Sequence, residues 1–148
     1  MSVVWREPVL DEWIDYNGHL SEAYYVLVLG HATDAVMEAV GLGPSYRAER
    51  QASLFTVEAH IRYLDQVSRG ARLEVRSEVV GASDKLLWIW HEMFADGRLR
   101  ATEEVLGVHV DTASGRSSRF PDDVAGAVAA ARVDPPAEAG RSIRLRSR

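Results

Sequence analysis

Five consecutive residues, Asp15, Tyr16, Asn17, Gly18 and His19, put a carboxylate, a carboxamide and an imidazole beside a glycine, just ahead of a strongly apolar segment. Carboxylates and imidazoles accept and deliver protons in enzymes, and a carboxylate also serves as a nucleophile. The same residue types cap turns and helix starts through side-chain hydrogen bonds to the backbone. The packet is therefore a reactive site or a decorated turn, and the elements that hold it decide which.

Over residues 21–41 the apolar side chains leave only a thin polar stripe at His31, Asp34 and Glu38, which predicts a helix with nearly its whole circumference buried. Ser21 suits the N-cap, Glu22 the first turn and Gly41 the stop. Upstream, residues 5–9 read as a short strand with Pro8 near its end. Downstream, Gly43, Pro44 and Ser45 read as a loop, after which the pattern changes to alternation. Residues 54–64 set Val57, Ala59, Ile61 and Tyr63 on one face and Thr56, Glu58, His60 and Arg62 on the other. Residues 72–80, 86–94 and 99–110 read as further strands, with Asp96-Gly97 marking a hairpin. The plan is α+β: one long buried helix wrapped by a curved antiparallel sheet of about five strands. Residues 121–132, rich in alanine, read as a short surface helix.

A chain of 148 residues fits one domain, here residues 1–132, followed by a Pro- and Arg-containing tail over 133–148. The tail carries Arg141, Arg144, Arg146 and Arg148, and reads as a solvated segment or as a basic arm that touches phosphates. A net charge of −5 argues against nucleic-acid binding, and the absence of cysteine rules out thiolate chemistry and disulfides. With no leader-like start and no uninterrupted apolar span, the expectation is a soluble cytoplasmic protein with no membrane partner.

The pieces Trp13-Ile14-Asp15-Tyr16-Asn17-Gly18-His19-Leu20 with Tyr24-Tyr25, Thr56 through Leu64, Ala101-Thr102-Glu103-Glu104 and His109-Val110-Asp111 resemble the hotdog-fold acyl-CoA thioesterases of the 4-hydroxybenzoyl-CoA thioesterase type. The resemblance covers about residues 3–112, and within that family the motifs look most like the betainyl-CoA thioesterases of carnitine breakdown. Where many relatives follow the turn with paired asparagines, this chain holds Ser21 and Glu22. The resemblance implies an acyl-CoA substrate, no cofactor beyond the CoA carried by the substrate, and a homodimer or dimer of dimers with sites between subunits. Betainyl-CoA is the specific expectation; another short or aromatic acyl-CoA, or a non-catalytic CoA-binding module, stays open.

Thioester hydrolysis needs a nucleophile and donors for the oxyanion on the carbonyl oxygen. Asp15 is the expected base or nucleophile, Asn17 a donor that positions water or the carbonyl, and His19 an orienting or proton-transferring group. Gly18 lets the backbone turn sharply, and the unpaired N–H groups around residues 20–23 offer an oxyanion site. Trp13 and Tyr24 are expected to contact substrate, their rings suiting a trimethylammonium group, and Glu58 with His60 to supply supporting groups from one strand face. Trp88 and Trp90, and His31, His91 and His109, read as structural; no metal-ligand spacing is recognisable.

Overall fold

The computed structural model describes residues 2–145. Strands β1 (Val3–Pro8), β2 (Ala52–Tyr63), β3 (Arg72–Ala82), β4 (Leu86–Ala95) and β5 (Arg98–Asp111) form one antiparallel sheet in the order β1-β3-β4-β5-β2. A short β6 (Arg116–Ser117) pairs with the end of β5. The β4–β5 turn is tight because Asp96 and Gly97 both take positive φ, 52° and 71°, which matches the right-handed twist of the flanking strands.

Helix α1 (Glu22–Ala39) lies on the concave face, packed over β1, β3 and β4. Ser21 is its N-cap but makes no side-chain capping bond. At the other end Gly41, at φ 82°, donates to Glu38 O and Leu42 donates to Met37 O, a paired closure that satisfies two of the last carbonyls. The expected all-round burial of α1 does not occur within one chain. Tyr25, Val28, Leu29, Ala32 and Val36 are buried, whereas Val26 and Leu27 remain 46% and 41% exposed. The alternation of β2 is likewise real but unburied. It ends the sheet, a bulge at Val57 shifts its register between Thr56 and Glu58, and Val57 and Tyr63 stay 58% and 44% exposed. Apolar side chains on the face of β2 that should be core thus look out beside an unpaired strand edge.

Helix α2 (Pro44–Arg50) occupies what reads in the sequence as a loop, with Pro44 at its first turn where a missing N–H costs nothing. Helix α3 (Asp122–Ala131) closes the far end of the sandwich through Val124 and Val128. The tail beyond it is exposed over most of its length, with Ile143 and Leu145 89% and 100% exposed, but it is tied to the sheet at three points. Val133 N–H donates to Val79 O, and the N–H groups of Gly140 and Arg141 donate to the Glu104 carboxylate, so the segment folds back across the outer face of the sheet. Arg141 and Arg144 belong to this segment; Arg146 and Arg148 lie outside the described residues. Among the described residues no single helix is long and apolar enough to cross a membrane.

Candidate active site

Residues 15–20 form a closed turn between two backbone pairings. Asp15 N–H donates to His19 O at 2.9 Å, and Gly18 N–H returns to Asp15 O at 3.0 Å. Gly18 sits at φ 80°, a conformation L side chains rarely adopt, which explains the glycine. One carboxylate oxygen of Asp15, Oδ1, accepts the N–H groups of Asn17 at 2.8 Å and His19 at 3.3 Å. That oxygen holds the turn and fixes the direction of the side chain. The other, Oδ2, has no hydrogen bond among the described residues. The turn-capping reading of the packet therefore holds for one oxygen of the carboxylate, and the other is left without a partner among the described residues. Asn17 is exposed, and Asp15 and His19 are half-buried.

The turn is fastened to the start of α1. Leu20 N–H donates to Val67 O and Ser21 N–H to Trp13 O, while His19 bridges Ser68. Of the donors expected around residues 20–23, the first two are thus consumed. The N–H groups of Glu22 and Ala23 lack acceptors among the described residues, as the first helical turn leaves them. Trp13 is 6% exposed and stacks on Tyr24 with centroids 5.5 Å apart and planes 13° from parallel. Trp13 is therefore a core anchor that fixes Tyr24, and Tyr24 is the half-buried member of the pair.

Glu58 and His60 do share one face of β2, but it is the outer face, across the sheet from α1. Within one chain they do not meet the turn. They line a cleft of about 330 Å³ with Trp88, Glu104, Leu106 and the tail residues Gly140, Arg141 and Ser142. His60 Nδ1 lies 3.6 Å from Glu104 Oε1, and Trp88 Nε1 donates to Glu104 Oε2 at 3.0 Å.

The concave face carries a polar row that no motif announces. Register sets Ser77, His91 and Glu103 side by side across β3, β4 and β5, with Ile61 next on β2. His91 is fully buried between Ser77 Oγ at 2.7 Å and Thr33 Oγ1 at 2.9 Å. The Thr33 hydroxyl donates to Leu29 O, so it accepts from His91 Nε2–H, and Nδ1 accepts from Ser77. This imidazole is neutral, with burial pushing its pKa down to about 3. Glu103 is different. It is 5% exposed, makes no hydrogen bond or ion pair among the described residues, and burial pushes its pKa up to about 7. A sequence signal for it existed: adjacent Glu103 and Glu104 in mid-strand must point to opposite faces, so one of them had to face the helix. His109, bonded to Tyr46 and Ser118, and His31, 2.6 Å from Glu7, sit in structural contacts. Among the described residues no group of three or more His, Asp or Glu side chains is placed to hold a metal ion.

Comparison with known proteins bears on this geometry. The model of the thioesterase-like superfamily matches residues 9–128. A betainyl-CoA thioesterase of Pseudomonas aeruginosa is 41% identical, over 94% of this chain and 86% of its own length. An L-carnitine dehydrogenase/betainyl-CoA thioesterase of Agrobacterium fabrum is 46% identical over 74% of this chain, which spans 22% of that longer protein. Among solved structures, a Staphylococcus aureus protein in complex with CoA superposes with TM-score 0.90 at 24% identity, covering 99% of this chain and 96% of that one. A putative thioesterase from Pseudomonas putida superposes at 0.83 with 31% identity, covering 98% and 97%. By fold, by matched span and by identity, this chain belongs to the thioesterase-like superfamily and has its hotdog architecture.

Proposed function

We propose that the chain hydrolyses an acyl-CoA thioester to free acid and CoA, with betainyl-CoA as substrate, and that Asp15 carries the reaction. The observation behind this is the division of labour within one carboxylate: Oδ1 is spent on the turn, and Oδ2 is left without a partner among the described residues beside the first turn of α1. The betainyl assignment rests on the Pseudomonas aeruginosa relative and is carried to this chain as a proposal.

In the reaction the thioester carbonyl oxygen sits at the N–H groups of Glu22 and Ala23, whose partial positive charge stabilises the oxyanion as it forms. Oδ2 of Asp15 takes the proton of a water that attacks the carbonyl carbon, or adds to that carbon itself to give a mixed anhydride that a water then opens to the free acid and the Asp15 carboxylate; on either route the CoA thiolate leaves. Both routes use the same oxygen and the same donors. Gly18 lets the backbone come close to the thioester, Asn17 orients the water or the carbonyl, and His19 holds the far side of the turn and passes protons to solvent. Tyr24, fixed by Trp13, faces the acyl group. No cofactor other than the CoA of the substrate enters.

The functional unit in this proposal holds at least two copies. Among the described residues β2 has a neighbour on one side only, and its apolar residues Val57 and Tyr63 are exposed, as are Val26 and Leu27 of α1. Pairing β2 of one copy with β2 of another covers that edge and closes the acyl pocket between copies. Glu58 and His60 stay on the outer face of the sheet so joined, away from the turn, and take no part in this site.

A panel of CoA esters including betainyl-CoA, assayed for free thiol, tests the reading. Release from betainyl-CoA that falls by orders of magnitude in Asp15→Asn supports it. Wild-type binding of the ester without release sinks it in favour of a CoA-binding module. Hydrolysis in water enriched in oxygen-18 under single turnover bears on the routes, because label in Asp15 requires an anhydride opened at its carboxyl carbon, whereas direct water attack puts label in the acid alone.

A further inference from the structure

Glu103 is costly where it stands. A carboxyl only 5% exposed and without a hydrogen-bond partner among the described residues destabilises the fold when ionised, and an aliphatic side chain would fill the same space at less expense. Its neighbour in sequence shows the contrast, since Glu104 on the outer face is held by Trp88 and by two backbone N–H groups of the tail. An acid kept in an unpaired, desolvated position is a candidate functional group.

The surroundings narrow the function. Glu103 sits on the concave side of β5, between Ile61 on β2 and His91 on β4. His91 is engaged on both ring nitrogens and stays neutral, so it offers Glu103 no positive charge. Tyr63 lies diagonally across the same face and feels the Glu103 charge. Its ring meets that of Tyr25 edge to face at 5.1 Å. Glu22, at the start of α1, is the other carboxylate acting on Tyr63. The cation that acts on this set, Arg100, does so at Tyr25 and is already bonded to Asp65, and none is paired with Glu103 among the described residues. The helix leaves this side of the sheet thinly covered, with Val57, Ala59 and Tyr63 exposed.

We propose that Glu103, with the rings of Tyr63 and Tyr25, forms the wall of the acyl pocket that selects a cationic, quaternary-ammonium acyl group over a neutral one of the same shape. The inference rests on the thioesterase reading above and adds a residue that determines specificity. A trimethylammonium group cannot donate hydrogen bonds, so it is recognised by a carboxylate at short range and by aromatic faces. An apolar floor with one unpaired acid and two tyrosines fits that chemistry. Its arrival also supplies the positive charge that the free protein lacks here.

The test compares betainyl-CoA with 3,3-dimethylbutanoyl-CoA, in which carbon replaces the quaternary nitrogen at nearly constant shape. The readout is the ratio of kcat/KM for the two esters in wild type, Glu103→Gln and Glu103→Asp. Wild type should favour the cationic ester. Glu103→Gln should lower the ratio by about ten- to one-hundredfold, chiefly through KM, and Glu103→Asp, which keeps the charge, should restore most of it. An equal loss on both esters, or an unchanged ratio in Glu103→Gln, overturns the proposal even if hydrolysis itself is confirmed. If wild type hydrolyses neither ester, the thioesterase reading has failed, and equilibrium binding of the same two esters to wild type and Glu103→Gln decides the subsite. A preference for the cation that disappears in Glu103→Gln upholds it, and equal affinities reject it.

Discussion

Replacing Glu103 by glutamine should change how the stability of this protein depends on pH, and the size follows from burial. The carboxyl is 5% exposed and titrates at about 7 instead of the ordinary 4.5. Below 4.5 it is neutral in the folded and unfolded chains alike, so wild type and Glu103→Gln respond alike to pH. Between 4.5 and 7 the unfolded chain has lost a proton that the folded chain retains. Raising the pH therefore favours unfolding, and the stability present at low pH is lost as pH passes through 7. The gap of about 2.5 between the two values, at roughly 1.36 kcal/mol each, comes to about 3 kcal/mol of relative destabilisation above pH 8. For a chain of this size that is a difference of roughly 6–12 °C in Tm. Urea or thermal unfolding at pH 4.5, 6, 7 and 8, at one fixed protein concentration, reads it directly. The comparison matters more than either curve, because His91 and the exposed carboxylates are common to both proteins and cancel. The two curves should run parallel near pH 4.5 and diverge towards pH 8, with Glu103→Gln gaining. A constant offset across the range would refute the reasoning, since it would mean that Glu103 titrates alike in the folded and unfolded chains.

Four further outcomes are expected. Asp15→Asn preserves an Oδ1 for the N–H groups of Asn17 and His19, so it should leave Tm within about 2 °C while lowering thiol release by roughly 10²–10⁴-fold; an equal fall in stability would return Asp15 to the role of a turn cap. Gly18→Ala meets no atom within 4 Å of the new Cβ but is held at φ 80°, so a cost of about 1 kcal/mol in chemical denaturation should come from the backbone alone. His91 should remain neutral by ¹⁵N NMR down to about pH 4; because its folded pKa of about 3 lies below the ordinary 6.5, its contribution to stability is lost as pH falls from 6.5 towards 3. Val57→Arg alters a residue that is 58% exposed in one chain, so a monomer would tolerate it; light scattering should show the assembly splitting, and an unchanged mass would remove β2 from the interface.

The readings that succeeded from sequence were those whose physics is local. The turn at residues 15–19, the strand alternation, the Asp96-Gly97 hairpin and the Gly41 stop each depend on residues within one or two turns of chain, and each stands where expected. Failures came where burial depends on a distant partner. The apolar surfaces of α1 and β2 read as core because hydrophobicity does not say what will cover it, and in one chain Val26, Leu27, Val57 and Tyr63 remain open. The tail read as solvated, and most of it is exposed, but composition did not announce that an acid on a distant strand accepts the backbone N–H groups of Gly140 and Arg141.

Glu103 and Glu104 sharpen that lesson. Alternation alone sends the two carboxylates to opposite faces, so the sequence implied that one would be buried, but it could not say which environment each would find. Glu104 met donors from a tryptophan and from the tail, whose segments lie 16 and 36 residues away in the chain. Glu103 met Ile61, a neutral His91 and the Tyr63 side chain, with no donor among the described residues. A fold selected for stability alone has no use for the second arrangement, because its desolvation cost returns nothing in the free protein. The cost becomes intelligible if the missing partner arrives with the substrate. The same burial that makes Glu103 destabilising above neutral pH then becomes the source of its preference for a cation.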